Sequence, residues 1–375
     1  MATSIMSRSQ GIYTGHGDIS ELLQAGFVQQ AFSAAVAQYP SDPFTPKLQD
    51  YIQQSAASIV PIVLNASYDA VSWPMDRVSN GPAFLALSSV ADNDTDSFQT
   101  AATAIRQSID LNPRTAEGGL WFYNQTDVSY LDGMYSLTLF YTLDSLNKLS
   151  SPNTKENATA SLDDVILQMD LMWKCTLNAT SGLLVHGYDY SRASVWADPA
   201  TGASPYVWGR SLGWYAMALV NALEVLPEAQ DKYREPLLEK LQLLSGALVD
   251  HVNPATGAWW QLLDQPGREG NYIESSGSAM FAYTLMKASR LGYLDAALSA
   301  NATAAGLRGY EYLTDTFVDQ QVNGTVGWNG TVAVCSLDSV ATYEYYVNQP
   351  ILYNSVLGSA AYVLAALEAE RLGTQ

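Results

Sequence analysis

The sequence is poor in the side chains that bind anions and metals. It has 18 lysines and arginines against 37 aspartates and glutamates, a formal net charge of −19, and three histidines. Such a surface repels phosphate-rich polymers and anionic lipids, so we expect no nucleic acid partner and no membrane association. His16, His186 and His251 are too scattered along the chain to indicate a metal site. We therefore expect neither a metal nor another cofactor.

Cysteine, long apolar runs and several familiar motifs are also scarce or missing. No apolar run reaches the ~18 residues of a transmembrane helix. Cys175 and Cys335 are the two cysteines, and they could form one disulfide or remain two buried thiols. Phosphate-binding glycine loops, GxSxG, HExxH and CxxC motifs are absent. Carbohydrate chemistry driven by carboxylates is the obvious class that remains.

Apolar residues make up 48% of the chain, and their spacing is mostly helical. No linker or low-complexity stretch interrupts the sequence, so we expect one domain over residues 1–375. Apolar helices beginning near Asp76, Asp132, Arg210, Ser276 and Ser355 alternate with amphipathic helices at 97–110, 158–175, 231–251 and 296–317. An inner ring of buried helices inside an outer ring of half-exposed ones explains this alternation. About eleven helices can be read, and twelve would make an all-α (α/α)6 barrel.

The segment 113–143 is the most informative stretch of the chain. A loop rich in glycine and aromatic residues leads to Asp132, which begins a helix with apolar residues on every side. Such a helix is expected to be buried on every side. A carboxylate at its mouth indicates a catalytic acid/base at the centre of the barrel.

Similar long loops precede other inner helices, so we expect them to meet at one end of the barrel. The candidate site residues at these helix openings are Asp76, Asp132, His186, Asp189, Trp208, Arg210, Trp214, Tyr272 and Glu274. Aromatic faces beside carboxylates are typical of a sugar site. Each residue has a structural alternative: the aspartates and Glu274 could interact with helix dipoles, the tryptophans could fill the core, and His186 could be structural.

Eight Asn-x-Ser/Thr triplets indicate the compartment. They begin at Asn65, Asn93, Asn124, Asn157, Asn178, Asn301, Asn323 and Asn329. This number favours a secreted, extracellular glycoprotein of a eukaryote, of fungal type. The alternative is an intracellular protein in which the triplets arose by chance.

Five segments in order carry a resemblance to a known family: PRTAEGGLW, YLDGMYS, HGYDYSRASVWADPATG, VWGRSLGWYAMALV and NYIESSGSAMFAYTL. Together they resemble glycoside hydrolase family 105, the unsaturated rhamnogalacturonyl hydrolases, whose relatives in family 88 are unsaturated glucuronyl hydrolases. The resemblance covers roughly residues 70 to 365 and implies an (α/α)6 barrel. The family often has His-Lys where this chain has Phe122-Tyr123.

The resemblance implies roles for particular residues. Asp132 would be the general acid/base and Asp76 a second active-site carboxylate. The substrate-binding residues would be His186, Trp208, Arg210 and Trp214, and we add Trp121 and Tyr188 from the same motifs.

The implied substrate is a pectin-derived rhamnogalacturonan oligosaccharide that carries a terminal unsaturated uronic acid. The implied reaction hydrates the C4–C5 double bond of that uronic acid. Three alternatives remain open: the same chemistry on unsaturated glucuronyl substrates, an ordinary inverting glycosidase on the same barrel, and a sugar-binding protein without catalysis.

Overall fold

The computed structural model describes residues 1–17, 19–89, 95–149 and 151–373. Its helices are α1 (Ala2–Ser7), α2 (Glu21–Gln38), α3 (Thr45–Ile59), α4 (Ala66–Ser72), α5 (Gly81–Ser88), α6 (Thr95–Asp110), α7 (Asp132–Leu149), α8 (Lys155–Thr176), α9 (Gly209–Val225), α10 (Asp231–Asp250), α11 (Ser275–Arg290), α12 (Ala296–Phe317), α13 (Tyr343–Val347) and α14 (Val356–Gly373). The chain also forms two segments of 3₁₀ helix: one turn at Val60–Ile62 and a longer segment at Met75–Asn80, which we name the Met75–Asn80 turn. The short strands are β1 (Val128–Tyr130), β2 (Gly187–Asp189), β3 (Val318–Gln320) and β4 (Val326–Trp328).

The long helices form two rings. The inner ring runs through α2, the Met75–Asn80 turn with α5, then α7, α9, α11 and α14, and it closes because α14 packs against α2. The outer helices α3, α6, α8, α10 and α12 each pack against the inner helix that precedes them. This arrangement is the predicted (α/α)6 barrel.

Sequence composition explains which helices are inside. Nearly every residue of α9 is buried, including Arg210, whereas α10 buries only a stripe that includes Leu237, Leu241 and Leu244. Burial of an apolar side chain contributes about 1.5–3 kcal/mol, so a helix that is apolar on all sides is most stable when it is enclosed.

Three short helices could not be read from the sequence: α1, α4 and α13. Helix α1 has six residues and packs beside α14, which also contacts α12. Pairing of α1 with α14 joins the two ends of the chain. A helix of one and a half turns has too little periodicity to be recognised in a sequence.

The expected continuous helix after Trp73 is wrong. The chain forms the 3₁₀ turn Met75–Asn80 and then the separate α5. Pro82, in the first turn of α5, has no N–H to donate and would clash with a carbonyl of a continuous helix. A Cβ on Gly81 would lie 2.2 Å from the Phe140 ring, so this junction packs closely against α7.

Three observations bear on the remaining expectations. None of the described helices is long and apolar enough to cross a membrane. Of the triplet asparagines, Asn93 lies outside the described residues, Asn178 is half-buried and the other six are exposed. A continuous core reaches from Ile5 to Leu367. The assignment of residues 1–375 to one domain stays a prediction.

Candidate active site

The loops that precede the inner helices meet at one end of the barrel, as expected. They enclose a cavity of about 260 Å³, and its wall includes five of the predicted site residues. These are Asp76, Asp132, Trp208, Arg210 and Trp214. They come from the Met75–Asn80 turn, the first turn of α7, and the first two turns of α9 with the residue before it, so the fold brings together residues that are far apart in sequence.

Asp132 lies in the first turn of α7 and is 8% exposed. Its Oδ2 accepts a hydrogen bond from the Ser211 hydroxyl and lies 3.5 Å from Nε2 of His186. The carboxyl group thus lines the cavity, while Ser211 and His186 hold its orientation. This is the geometry expected of a group that exchanges a proton with a bound ligand.

Strands β1 and β2 place Asp132 and His186 side by side. They pair antiparallel with Tyr130 opposite Gly187, and the Leu131 N–H donates to the His186 carbonyl at 3.1 Å. A Cβ on Gly187 would lie 2.3 Å from the Ser129 carbonyl oxygen, so only glycine allows this approach. The pair of strands therefore sets the distance between the carboxylate and the imidazole.

The turn that carries Asp76 is held in place by Arg77, the buried arginine next to it in the chain. Arg77 is 1% exposed, and its guanidinium donates to the Trp73, Pro74 and Ser108 carbonyls, to the Ser108 hydroxyl and to the Asn112 side chain. These bonds tie the Met75–Asn80 turn to the end of α6. The Met75 N–H also donates to the Phe122 carbonyl at 2.9 Å. Asp76 is thereby fixed in the cavity wall.

Arg210 connects α9 to a loop from the far end of the sequence. It donates to the carbonyls of Val332 at 2.7 Å and Ala333 at 2.8 Å, and its guanidinium lies 4.7 Å from the Trp208 ring centroid. Glu274, which caps α11, is 3.9 Å from Arg210 Nη1. Arg210 thus forms an ion pair with Glu274, and the same side chain also lines the cavity.

Other predicted residues lie outside the cavity wall. His186 is fully buried behind Asp132 and contacts the Trp208 ring. Trp121 is half-buried, and its indole N–H donates to Asp127 at 3.1 Å, which closes the loop between them. The Tyr188 hydroxyl packs so closely on Gly119 that a Cβ there would be 2.6 Å away. The direct substrate contacts expected of Trp121 and Tyr188 gain no support, because Trp121 bonds within its own loop and Tyr188 packs on the neighbouring loop.

Of the remaining candidates, Asp189 has structural partners, whereas the buried hydroxyl of Tyr272 has no hydrogen-bond partner among the described residues. Asp189 accepts hydrogen bonds from the Ser191 hydroxyl and from three backbone N–H groups, and these bonds hold its pKa below the usual range despite burial. Burial raises the pKa of Tyr272 above the usual range. Within the described residues, no three of the histidine, cysteine, aspartate and glutamate side chains lie close enough to share a metal ion.

Part of the wall was not anticipated. Ile19 and Leu23 near the start of α2, and Val334 to Ser336 from the loop before α13, complete the cavity. The Val334–Ser336 segment has no acid, cation or motif that could have indicated it, and Glu21, the acid between Ile19 and Leu23, does not line the cavity. Phe122 and Tyr123, the positions where the chain departs from its family, also line the cavity, and Phe122 stacks on Tyr130 at 4.3 Å.

A larger groove of about 730 Å³ lies between α6 and α8 on the outside of the barrel. Its charged groups pair with one another: Arg114 with Asp164 at 2.7 Å and Arg106 with Asp110 at 2.6 Å. The acids in this groove already have cationic partners. We therefore place the chemistry in the smaller cavity, where the two predicted carboxylates converge.

The disulfide alternative for the two cysteines is wrong. Cys175 lies half-buried near the end of α8, while Cys335 is buried beside the cavity, and both are free thiols. They belong to an outer helix and to a loop at the barrel mouth. Burial raises the pKa of Cys335 to about 12 and also raises that of Cys175.

These thiols give a direct test. In denaturant without reductant, a colorimetric thiol assay should detect both cysteines of each chain. In the folded protein at pH 8, Cys335 should resist iodoacetamide, because only the thiolate reacts and a pKa of about 12 leaves about 10⁻⁴ of it ionised. Peptide mass analysis should find alkylation at Cys175 first. Detection of fewer than two thiols, or preferential alkylation of Cys335, would contradict the structure.

Comparisons with known proteins identify the family of this chain. The family model described as Glycosyl Hydrolase Family 88 matches residues 30–373. Protein Atu3128 of Agrobacterium fabrum is 37% identical over 213 residues, which are 55% of this chain and 90% of that protein.

Solved structures share the architecture over nearly the whole chain. A family 105 glycoside hydrolase of C. acetobutylicum ATCC 824 is 29% identical, with a TM-score of 0.83 over 99% of this chain and 98% of its own. An unsaturated glucuronyl hydrolase of Bacillus sp. GL1 is 14% identical, with a TM-score of 0.67 over 99% and 94% of the two chains. The second likeness concerns the fold alone. The chain resembles a family 105 enzyme over nearly its whole length, and the family match shows that it belongs to Glycosyl Hydrolase Family 88.

Proposed function

We propose that this protein removes a terminal unsaturated uronic acid from pectin-derived rhamnogalacturonan oligosaccharides. The observation that carries the proposal is the convergence of Asp132 and Asp76 on one aromatic cavity beside Arg210. The substrate has a C4–C5 double bond conjugated with its carboxylate and joined to the ring oxygen. Such an enol ether accepts a proton at carbon, so a buried carboxylic acid is the catalyst that it requires.

The proposed reaction begins with proton transfer. Asp132 gives its proton to C4, and positive charge develops at C5 and the ring oxygen. Water, guided by the Asp132 carboxylate or by Asp76, then adds to C5 and releases its proton to Asp132, so that the acid is restored. The hemiketal formed at C5 opens, and the remaining sugar leaves. The Ser211 hydroxyl stabilises the Asp132 carboxylate between the two proton transfers.

Arg210 is the proposed partner of the substrate carboxylate. A negatively charged ligand must approach a protein with a net charge of −19, and a local cation offsets that repulsion at short range. The guanidinium uses Nη1 and Nη2 on the Val332 and Ala333 carbonyls while its edge borders the cavity. Trp208 and Trp214 would pack against the sugar ring.

The same acid could act on an unsaturated glucuronyl unit. The match to Glycosyl Hydrolase Family 88, whose members the sequence resemblance associates with unsaturated glucuronyl substrates, makes this the second candidate. Phe122 and Tyr123 are the wall positions where the chain departs from its family pattern. We propose that they contribute to the choice between the two substrates.

The test is to incubate the protein with unsaturated rhamnogalacturonan disaccharide and to follow the ultraviolet absorbance of the double bond. Rapid loss of absorbance supports the proposal. Faster loss with an unsaturated glucuronyl disaccharide would favour the second candidate. Release of reducing sugar from a saturated disaccharide without loss of absorbance would indicate an ordinary inverting glycosidase. Binding of the unsaturated disaccharide without any product would indicate a sugar-binding protein.

We also propose that the protein is a secreted fungal glycoprotein. Support comes from the exposure of Asn65, Asn124, Asn157, Asn301 and Asn323, which leaves room for a glycan at each. Asn329 is also exposed. A fall in mass after endoglycosidase treatment of the protein from its native source would support secretion, and an unchanged mass would contradict it.

A further inference from the structure

His186 is a fully buried imidazole with two polar neighbours. Its Nδ1 lies 2.8 Å from the Tyr346 hydroxyl, and its Nε2 lies 3.5 Å from Oδ2 of Asp132. Neither His186 nor Tyr346 belongs to the cavity wall. They can therefore affect the reaction through Asp132 and not through contact with the substrate.

We propose that Tyr346 is a positioning residue, which donates its hydroxyl proton to Nδ1 of His186 and so keeps the Nε2–H directed at Asp132. This inference rests on the proposed role of Asp132 as the acid. A neutral imidazole has one N–H and one acceptor nitrogen, and the hydrogen bond at one nitrogen sets the state of the other. When Asp132 has given up its proton, an N–H at Nε2 faces the carboxylate.

The surroundings of Tyr346 favour the donor role. The residue is buried, and burial raises the pKa of its phenol well above the usual range, so the hydroxyl keeps its proton. It lies in the short helix α13, and its backbone carbonyl accepts from the Gln261 side chain at 3.3 Å. Gln261 also accepts from the indole N–H of Trp208, which packs against His186. Gln261 thus links the Tyr346 backbone to Trp208, whose ring centroid lies 6.3 Å from that of Tyr346.

The titratable groups around this pair are Asp132 on α7, Tyr130 on β1, Tyr206 before α9, Cys335 before α13 and Tyr345 in α13. Burial raises the pKa values of Tyr130, Cys335 and Tyr345, which keeps these three groups neutral from acid to neutral pH. Arg210 lies beyond Trp208, against its ring. A change in the pH profile on removal of the Tyr346 hydroxyl would consequently report on His186 and Asp132.

The test compares Tyr346→Phe with Tyr343→Phe. Tyr343 is a buried tyrosine of the same helix whose hydroxyl bonds to the Arg268 and Glu269 carbonyls. We expect kcat of Tyr346→Phe on the unsaturated disaccharide to fall about ten-fold, the worth of one hydrogen bond, with little change in KM and a displaced pH profile. Tyr343→Phe should retain the wild-type kcat and pH profile. Wild-type kinetics in Tyr346→Phe, or the same loss in both variants, would overturn the proposal.

A second measurement does not depend on turnover. The chain has three histidines, so nitrogen-15 NMR of the imidazoles can be assigned with a His186→Gln variant. We expect the Nε2–H tautomer for His186 in the wild type and a loss of that preference in Tyr346→Phe. An Nδ1–H tautomer in the wild type would overturn the inference. If the enzyme fails on every unsaturated substrate while the NMR result holds, the proposed function is wrong but the positioning of His186 stands.

Discussion

Replacement of Asp132 by asparagine should lower turnover of the unsaturated disaccharide by about 10² to 10⁴-fold, the range that a positioned acid contributes. Asparagine keeps the shape of the side chain, and its carbonyl oxygen can still accept from Ser211. It has no acidic proton to give to C4. The measurement is the initial rate of loss of ultraviolet absorbance, together with the melting temperature as a check of the fold.

The matched control is Asp163→Asn. Asp163 is a half-exposed aspartate of α8 that pairs with Lys232, and loss of such a surface pair changes stability by about 1 kcal/mol or less. We expect wild-type turnover in this variant. Near-normal rates in Asp132→Asn would refute the assignment of Asp132 as the acid. Binding of the substrate should survive in Asp132→Asn, because Arg210 and the tryptophans remain in place.

The second large effect is expected for Arg210→Met. This variant should lose about 10- to 100-fold in kcat/KM on the free uronate, because a hydrogen bond to a charged group contributes about 1.5–3 kcal/mol. Arg114→Met is the matched control. Arg114 is an arginine paired with Asp164 in the outer groove, far from the cavity in the barrel, and its loss should leave kcat/KM unchanged.

Arg210 also supports the Val332–Ala333 loop, so loss of that support must be separated from loss of charge recognition. The methyl ester of the unsaturated uronide has the same double bond but no negative charge. If Arg210 binds the carboxylate, the wild type should prefer the free acid, and Arg210→Met should lose that preference. An equal loss on acid and ester would restrict Arg210 to its support of the loop.

The barrel could be predicted because buried and half-exposed helices differ in amino-acid composition. Apolar helices such as α9 and amphipathic helices such as α10 differ at nearly every turn, so their alternation revealed two rings. The prediction failed where a helix is too short to show this difference or where a proline interrupts it. Helix α1 has six residues, and Pro82 separates α5 from the turn that carries Asp76.

The site was predictable where a residue opens an inner helix. Asp132 and Arg210 lie at such positions, and the barrel then brings their side chains to one cavity. Trp121 and Tyr188 belong to the motifs that carry the family resemblance. A side chain in such a loop can contact either the ligand or other protein loops, and the sequence does not distinguish these two cases. The Val334–Ser336 segment joined the site through the hydrogen bonds of Arg210 to the preceding two residues. Such contacts depend on the tertiary structure.

The pairing of β1 with β2 has a consequence for the way this enzyme could diversify. Three residue pairs fix the distance between Asp132 and His186, and the rest of each loop lies outside this small sheet. Insertions before Val128 or after Asp189 could reshape the cavity mouth while Asp132 and His186 keep their relative positions. A single-residue insertion between Tyr130 and Asp132 would instead displace the acid from its imidazole. Substrate range and chemistry are thus encoded in separate parts of the same loops, and directed evolution of specificity should target the outer parts.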